Sequence, residues 1–216
     1  MFLVILFDFF VQTPASQRLY TTDPDFHKIT INFGTATQDF HVGLASMAVH
    51  GNLAGAFHVH QRLGKMPFAE VVQPAIALAK SGFTITAYQA KTLRFLQPIL
   101  ESSAASRLIF TANEKLKQTG EKIVVTNLAD SLFLLGKEGT AEFYRGEIAR
   151  NLANDCAEKG GFISLQDLEN YRVIERPPVM LNYKNHTIMT NPPPSSGGTL
   201  IAFALKLLEN YDVKRI

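Results

Sequence analysis

The sequence predicts an α+β chain in which helices dominate. Short apolar, β-rich runs bounded by polar residues lie near both ends. Through the middle, apolar residues recur at three- and four-residue spacing, the period of a helix with one buried face. Glycines and prolines fall between the periodic segments rather than within most of them.

In order, residues Phe2 to Val11 read as a buried strand that begins with the apolar run Met1 to Phe7. That run lacks a basic start and meets Asp8 after seven residues, which argues against a signal peptide or a span. A chain opening inside a core strand suggests that Met1 is not the true start of the domain. Thr13 to Pro24 reads as a polar loop and Ile29 to Phe33 as a second strand, and helical periodicity begins at Gly51. Phe68, Val71, Val72, Ala75, Ile76 and Ala79 share one helical face, which Pro67 opens, Pro74 should kink and Gly82 closes. Further helices are expected over Ala87 to Leu96, over Leu128 to Gly136 with Asn127 as cap, and over Ala141 to Lys159, ending at Gly160 and Gly161. Ser164 and Asp167 have capping-box spacing. Val179 to Tyr183 and Thr187 to Thr190 read as a hairpin turning at Lys184 to His186, and a last helix covers Thr199 to Glu209.

The 21 basic and 19 acidic residues are scattered and leave a net charge of +2, too weak a field to favour nucleic acid or a membrane. No membrane segment is expected. The one cysteine, Cys156, has no partner for an internal disulfide and falls on a helical face with Ile148 and Leu152, where a buried apolar role is expected.

His58 and His60 are two residues apart, about 200° around a helix, so they cannot share one metal ion. No metal or other cofactor is expected. Ser195 and Ser196 have no strand, elbow and helix around them and no adjacent base, so neither reads as a nucleophile. Gly197 and Gly198 before a helix fit an N-terminal turn better than an anion site. Asp167, Glu169, Glu175 and Arg176 read as surface or salt-bridge charges.

Several longer strings carry more specific information: SMAVHGNLAG (Ser46 to Gly55), RLGKMPFAEVVQ (Arg62 to Gln73), PAIALAKSGF (Pro74 to Phe83), FYRGEIA (Phe143 to Ala149), KGGFISLQDL (Lys159 to Leu168), YRVIER (Tyr171 to Arg176) and NPPPSSGGT (Asn191 to Thr199). In this order they resemble the large subunit of the γ-glutamyltranspeptidases, from about Asp8 to Val213. The resemblance implies a partial αββα four-layer fold of the N-terminal-nucleophile (Ntn) hydrolases, with residues 1–216 a single incomplete domain. It further implies a precursor that cleaves itself into two subunits. A threonine at the start of the small subunit would attack the γ-glutamyl carbonyl of glutathione or related amides, its own α-amino group acting as base. That threonine is expected beyond Ile216, so the chain alone should be inert, its partners being the small-subunit half and a γ-glutamyl small molecule.

One departure stands out. The family's DFRE string carries an arginine that holds the donor's α-carboxylate through a bidentate pair. Here the matching residues are Asp8, Phe9, Phe10 and Val11, followed by Gln12, Thr13 and Pro14, so Phe10 stands in the arginine's place. Loss of such a contact costs about 1.5–3 kcal/mol, tenfold or more in affinity. The acyl group therefore differs, or Gln12 or Thr13 takes over part of the role, or the protein is a non-catalytic homologue. His50 replaces a proline of the family's SMAVPG string and reads as a turn residue. Three prolines should hold Asn191 to Ser195 extended, with Gly197 and Gly198 allowing close backbone approach and Ser195 and Ser196 either hydrogen-bonding the loop or lining the cleft edge, a scaffold role being favoured over direct substrate contact.

Overall fold

Local sequence sets most element boundaries in the computed structural model, which describes residues 4–15 and 23–211. The elements are β1 (Leu6–Asp8), β2 (His27–Asn32), β3 (Thr37–Val42), α1 (Asn52–Leu63), α2 (Phe68–Val71), α3 (Gln73–Ser81), β4 (Phe83–Thr84), α4 (Ala87–Leu100), α5 (Ala104–Phe110), β5 (Thr111–Ala112) and β6 (Lys115–Leu116). There follow β7 (Lys122–Ile123), α6 (Thr126–Glu138), α7 (Ala141–Arg145), α8 (Glu147–Glu158), α9 (Leu165–Asn170), β8 (Ile174–Arg176), β9 (Val179–Tyr183), β10 (His186–Thr190) and α10 (Ser196–Leu208). The chain is α+β with helices dominating, and the described strands pair as antiparallel two-stranded ribbons. It divides into two units, the first made of residues 1–11, 50–59 and 172–216, the second of 12–49 and 60–171.

The second unit holds most of the helices. Val72, Ile76 and Ala79 bury against Ala129 of α6, with Phe68 and Leu132 packed beside them. The expected kink is a full break: α2 ends and α3 restarts at Val72, with Pro74 in the first turn of α3, where its missing N–H costs nothing. Val71 and Ala75 of the expected apolar face are exposed. Gly136 lies inside α6, where a Cβ would come within 3.0 Å of Val72, and Gly139, at φ 77°, is the residue that ends the helix. Asn127 is not the cap. The Val125 N–H bonds the Ala79 carbonyl, and the helix starts at Thr126, upstream of that asparagine.

α4 begins with a capping box between Thr86 and Gln89 and runs past the expected end to Leu100, Pro98 included. The single helix expected over Ala141 to Lys159 is two, broken at Gly146. The Glu142 carboxylate accepts the Glu147 N–H at 2.7 Å and so caps α8. Cys156 is fully buried. The β2–β3 hairpin contains a strand absent from the sequence reading, because Asp39 interrupts its apolar pattern. That aspartate is paired across the ribbon with Lys28 at 3.1 Å and Thr30 at 2.6 Å.

Asp167 ties α9 to a distant segment. One of its carboxylate oxygens closes the capping box with the Ser164 N–H and hydroxyl, at 2.9 and 2.5 Å. The other accepts the Ala15 N–H at 2.8 Å. It is 8% exposed, so the sequence reading of this residue as a surface charge is corrected: it is a buried capping group.

In the first unit, β1 pairs antiparallel with β8, Leu6 opposite Arg176 and Asp8 opposite Ile174. The strand is shorter than expected and only half-buried rather than core, and Met1 to Leu3 lie outside the described residues. β9 and β10 form the expected hairpin around a tighter turn, Lys184 and Asn185, with Lys184 at φ 51° and His186 already in the strand. α10 presents Leu200, Ile201, Phe203 and Leu207 to solvent, each more than half exposed.

Replacing Asp167 with alanine removes the carboxylate that accepts from Ala15 and Ser164. It should lower stability by about 1–3 kcal/mol, measured as a shift in urea midpoint at unchanged slope.

Candidate active-site cleft

β1 stops because the Asp8 side chain offers its own backbone an alternative partner. Its Oδ1 accepts the Phe10 N–H at 3.0 Å, an Asx-type hydrogen bond to its own backbone two residues on. Oδ2 accepts the Arg176 Nε–H at 2.6 Å from β8, so one carboxylate fixes both the turn and the strand pairing. The side chains of Asp8 and Arg176 are 11% and 33% exposed. Burial alone would raise the Asp8 carboxyl, but the Phe10 N–H and the Arg176 guanidinium outweigh it and hold the group below its ordinary 3.8.

The turn forms one wall of an open cleft of about 590 Å³ within the first unit. Leu6, Phe7, Phe9, Phe10 and Val11 supply apolar surface, continued by Pro192 and Pro194. Asp8, His50, Asn52, Asn191 and Ser195 supply the polar groups, and Gly51 completes the lining. No lysine or arginine lies among the described residues of this lining. Phe10 is 61% exposed.

Close approach shapes the rest of the wall. A Cβ on Gly55 would fall 2.0 Å from the Phe9 ring, so only glycine lets α1 pass there. The proline segment is not extended throughout. It turns at Pro193 and Pro194, with the Ser195 N–H donated to the Pro192 carbonyl at 3.2 Å, and leads into α10. A Cβ on Gly198 would meet the Asn191 carbonyl oxygen at 2.0 Å, whereas nothing lies within 4 Å of one on Gly197. The close approach expected of both glycines belongs to Gly198 alone.

The structure thus brings Phe10 and Ser195 onto one cleft. Ser196, Gly197 and Gly198 form the start of α10 and are not in the lining. Gln12 and Thr13 belong to the second unit. Gln12 exchanges two backbone hydrogen bonds with Val49, at 3.2 and 2.8 Å, and Thr13 is exposed. Sequence reasoning missed Asp8, Asn52 and Asn191 as lining residues and read His50 only as a turn. The polar residue that ends an apolar strand was the available signal for Asp8. His58 donates to Glu175 at 3.2 Å with its ring edge-on to Phe7, and His60 donates to the Met66 carbonyl at 2.8 Å. Among the described residues, no three His, Cys, Asp or Glu side chains gather as a metal site would require.

The family model described as gamma-glutamyltranspeptidase matches residues 15–216. This chain belongs to the γ-glutamyltranspeptidase family. It is 36% identical over 166 residues to the glutathione hydrolase proenzyme of Escherichia coli K12, covering 76% of this chain and 29% of that protein. It is likewise 36% identical over 172 residues to the acylase ACY 1 proenzyme of Pseudomonas sp. strain V22, covering 80% of this chain and 31% of that protein. The solved γ-glutamyltranspeptidase of Helicobacter pylori superposes with a TM-score of 0.79 at 28% identity, covering 95% of this chain and 58% of that one. The fold is therefore the large-subunit part of an Ntn-hydrolase of this family. The chain spans less than a third of the length of these two curated relatives, both of them proenzymes.

Two outcomes follow from the geometry. Gly198→Ala should cost about 1–3 kcal/mol because backbone must shift, while Gly197→Ala should be neutral or up to about 1 kcal/mol stabilising; thermal melts of the two variants separate them. Because the folded Asp8 carboxyl titrates below its unfolded value, its contribution is complete above about pH 4 and is lost as pH falls through the lowered value. The stability gap between the unmodified chain and Asp8→Asn should therefore narrow between about pH 5 and pH 2, followed by denaturant titration at each pH.

Proposed function

We propose that this chain is the donor-binding part of an amide acyltransferase or hydrolase of the γ-glutamyltranspeptidase type, and a portion of a larger domain. In this reading a small-subunit half of the same precursor carries an N-terminal threonine. Its hydroxyl adds to the donor carbonyl, its α-amino group takes the proton, and the amine leaves as the acyl-enzyme forms. Water or an acceptor amine then releases the acyl group. The supporting observation is that two of the strings that resemble the family, SMAVHGNLAG and NPPPSSGG, bound the same cleft as the Asp8 stretch that stands in place of DFRE. The exposed apolar face of α10 is consistent with cover by a further polypeptide. No helix among the described residues is long and apolar enough to cross a membrane.

The family reading makes glutathione and other γ-glutamyl amides the donors. A second reading, an acylase of altered class or a non-catalytic homologue, is favoured by Phe10, which fills the position where the family's arginine would meet an α-carboxylate. The cleft of the first unit offers no other cation among its described lining.

The purified 216-residue chain should release no amine from glutathione or other amide donors. Assembled with the small-subunit half, it should release amine from at least one of them, and that activity should vanish when the small-subunit threonine is replaced by alanine. Hydrolysis by the isolated chain, or activity that survives the threonine replacement, would overturn the proposal.

A further inference from the structure

From the cleft in the first unit we infer that the acyl group it takes is uncharged and apolar, an aryl or alkyl chain ending in an amide, rather than an amino-acid zwitterion. The inference rests on the reading of this cleft as an acyl-donor site and names its substrate class. An α-carboxylate entering the cleft needs a cation or converging N–H donors to replace its water. Among its described residues the lining provides neither lysine nor arginine, and the carboxylate there, Asp8, is of the wrong sign. The guanidinium of Arg176, whose Nε–H is donated to Asp8 Oδ2 at 2.6 Å, is not in the lining. An incoming α-ammonium is no better served, because the charge of Asp8 is already offset by the Arg176 guanidinium bound to its Oδ2. A zwitterion entering the cleft would thus meet neutral donors from Asn52, Asn191 and Ser195 but no lysine or arginine for its carboxylate among the described lining.

The remaining chemistry suits a neutral ligand. Phe7, Phe9 and Phe10 bring three rings to the cleft, with Pro192 and Pro194 beside them. Asn52 and Asn191 each carry an amide donor and an acceptor, the pair of functions that an amide group needs. A volume of about 590 Å³ falls within the range that encloses small organic ligands. Phe10 is then the residue that sets specificity, its ring replacing an ionic contact with apolar surface.

The test uses the isotope-labelled 216-residue chain and two probes that share a two-methylene spacer and a primary amide: glutamine, and 4-phenylbutanamide, in which a benzyl group replaces the amino-acid end. Chemical-shift titration should show 4-phenylbutanamide binding about tenfold or more tightly than glutamine, with shifts centred on Phe10, Asn52 and Asn191. Phe10→Arg should reverse the order, and Phe10→Leu, which keeps the apolar surface and serves if the arginine variant misfolds, should preserve it. Glutamine binding as well as or better than the aryl amide, or no shift at the cleft with either probe, would overturn the inference. The acyl-transfer reading is judged separately by amine release from the assembled protein. Aryl-amide binding without any turnover would sink that reading alone, and γ-glutamyl turnover with no aryl-amide binding would sink this inference alone.

Discussion

The Asp8 carboxylate carries two jobs that elsewhere fall to separate residues. One oxygen ends β1 by capturing the Phe10 N–H, and the other holds Arg176 of β8, the partner strand. A two-stranded ribbon of three residues a side has little stability of its own, and a charge-assisted hydrogen bond across it fixes both register and twist. The direction in which the chain leaves β1, and with it the placement of Phe9 and Phe10 at the cleft, follows from that carboxylate. The Arg176 pairing offsets the charge of Asp8, and the phenylalanines and prolines around it make the cleft surface mainly apolar.

Much of the helical architecture was legible because it is written in local chemistry. The Ser164 and Asp167 box, the glycine stop at Gly82 and the break near Pro74 each depend on residues within one turn of the event they control. Where the reading failed, a polar group from further off decided the outcome. Glu142 reaches forward to cap α8 and splits one expected helix into two, and the Ala79 carbonyl draws in Val125 and advances the start of α6. β3 escaped notice because Asp39 breaks its pattern, and only the ribbon shows that Lys28 and Thr30 supply its partners.

The site was legible in a different way. The family strings picked out two of the three stretches that line the cleft, those of Gly51 and of Pro192, and Phe10 of the third stands out when DFFV is laid against the family's DFRE. Periodicity carries no information about which residues converge from three distant stretches of chain, so Asn52 and Asn191 could not be found by it. Nor does periodicity show that Gln12, two residues from Phe10, bridges through its backbone to Val49. Gly197 and Gly198 show the same limit: two identical residues in one turn, of which only the second lies against a carbonyl.

If Asp8 fixes the ribbon and the turn together, its interaction with Arg176 must be cooperative rather than incidental. A double-mutant cycle on Asp8→Asn and Arg176→Gln, read by equilibrium denaturation at neutral pH, measures this directly. The account predicts that the two losses are not additive, with a coupling of about 1 kcal/mol or more. Losses that add to within about 0.3 kcal/mol would show that the two side chains act independently, and would contradict it.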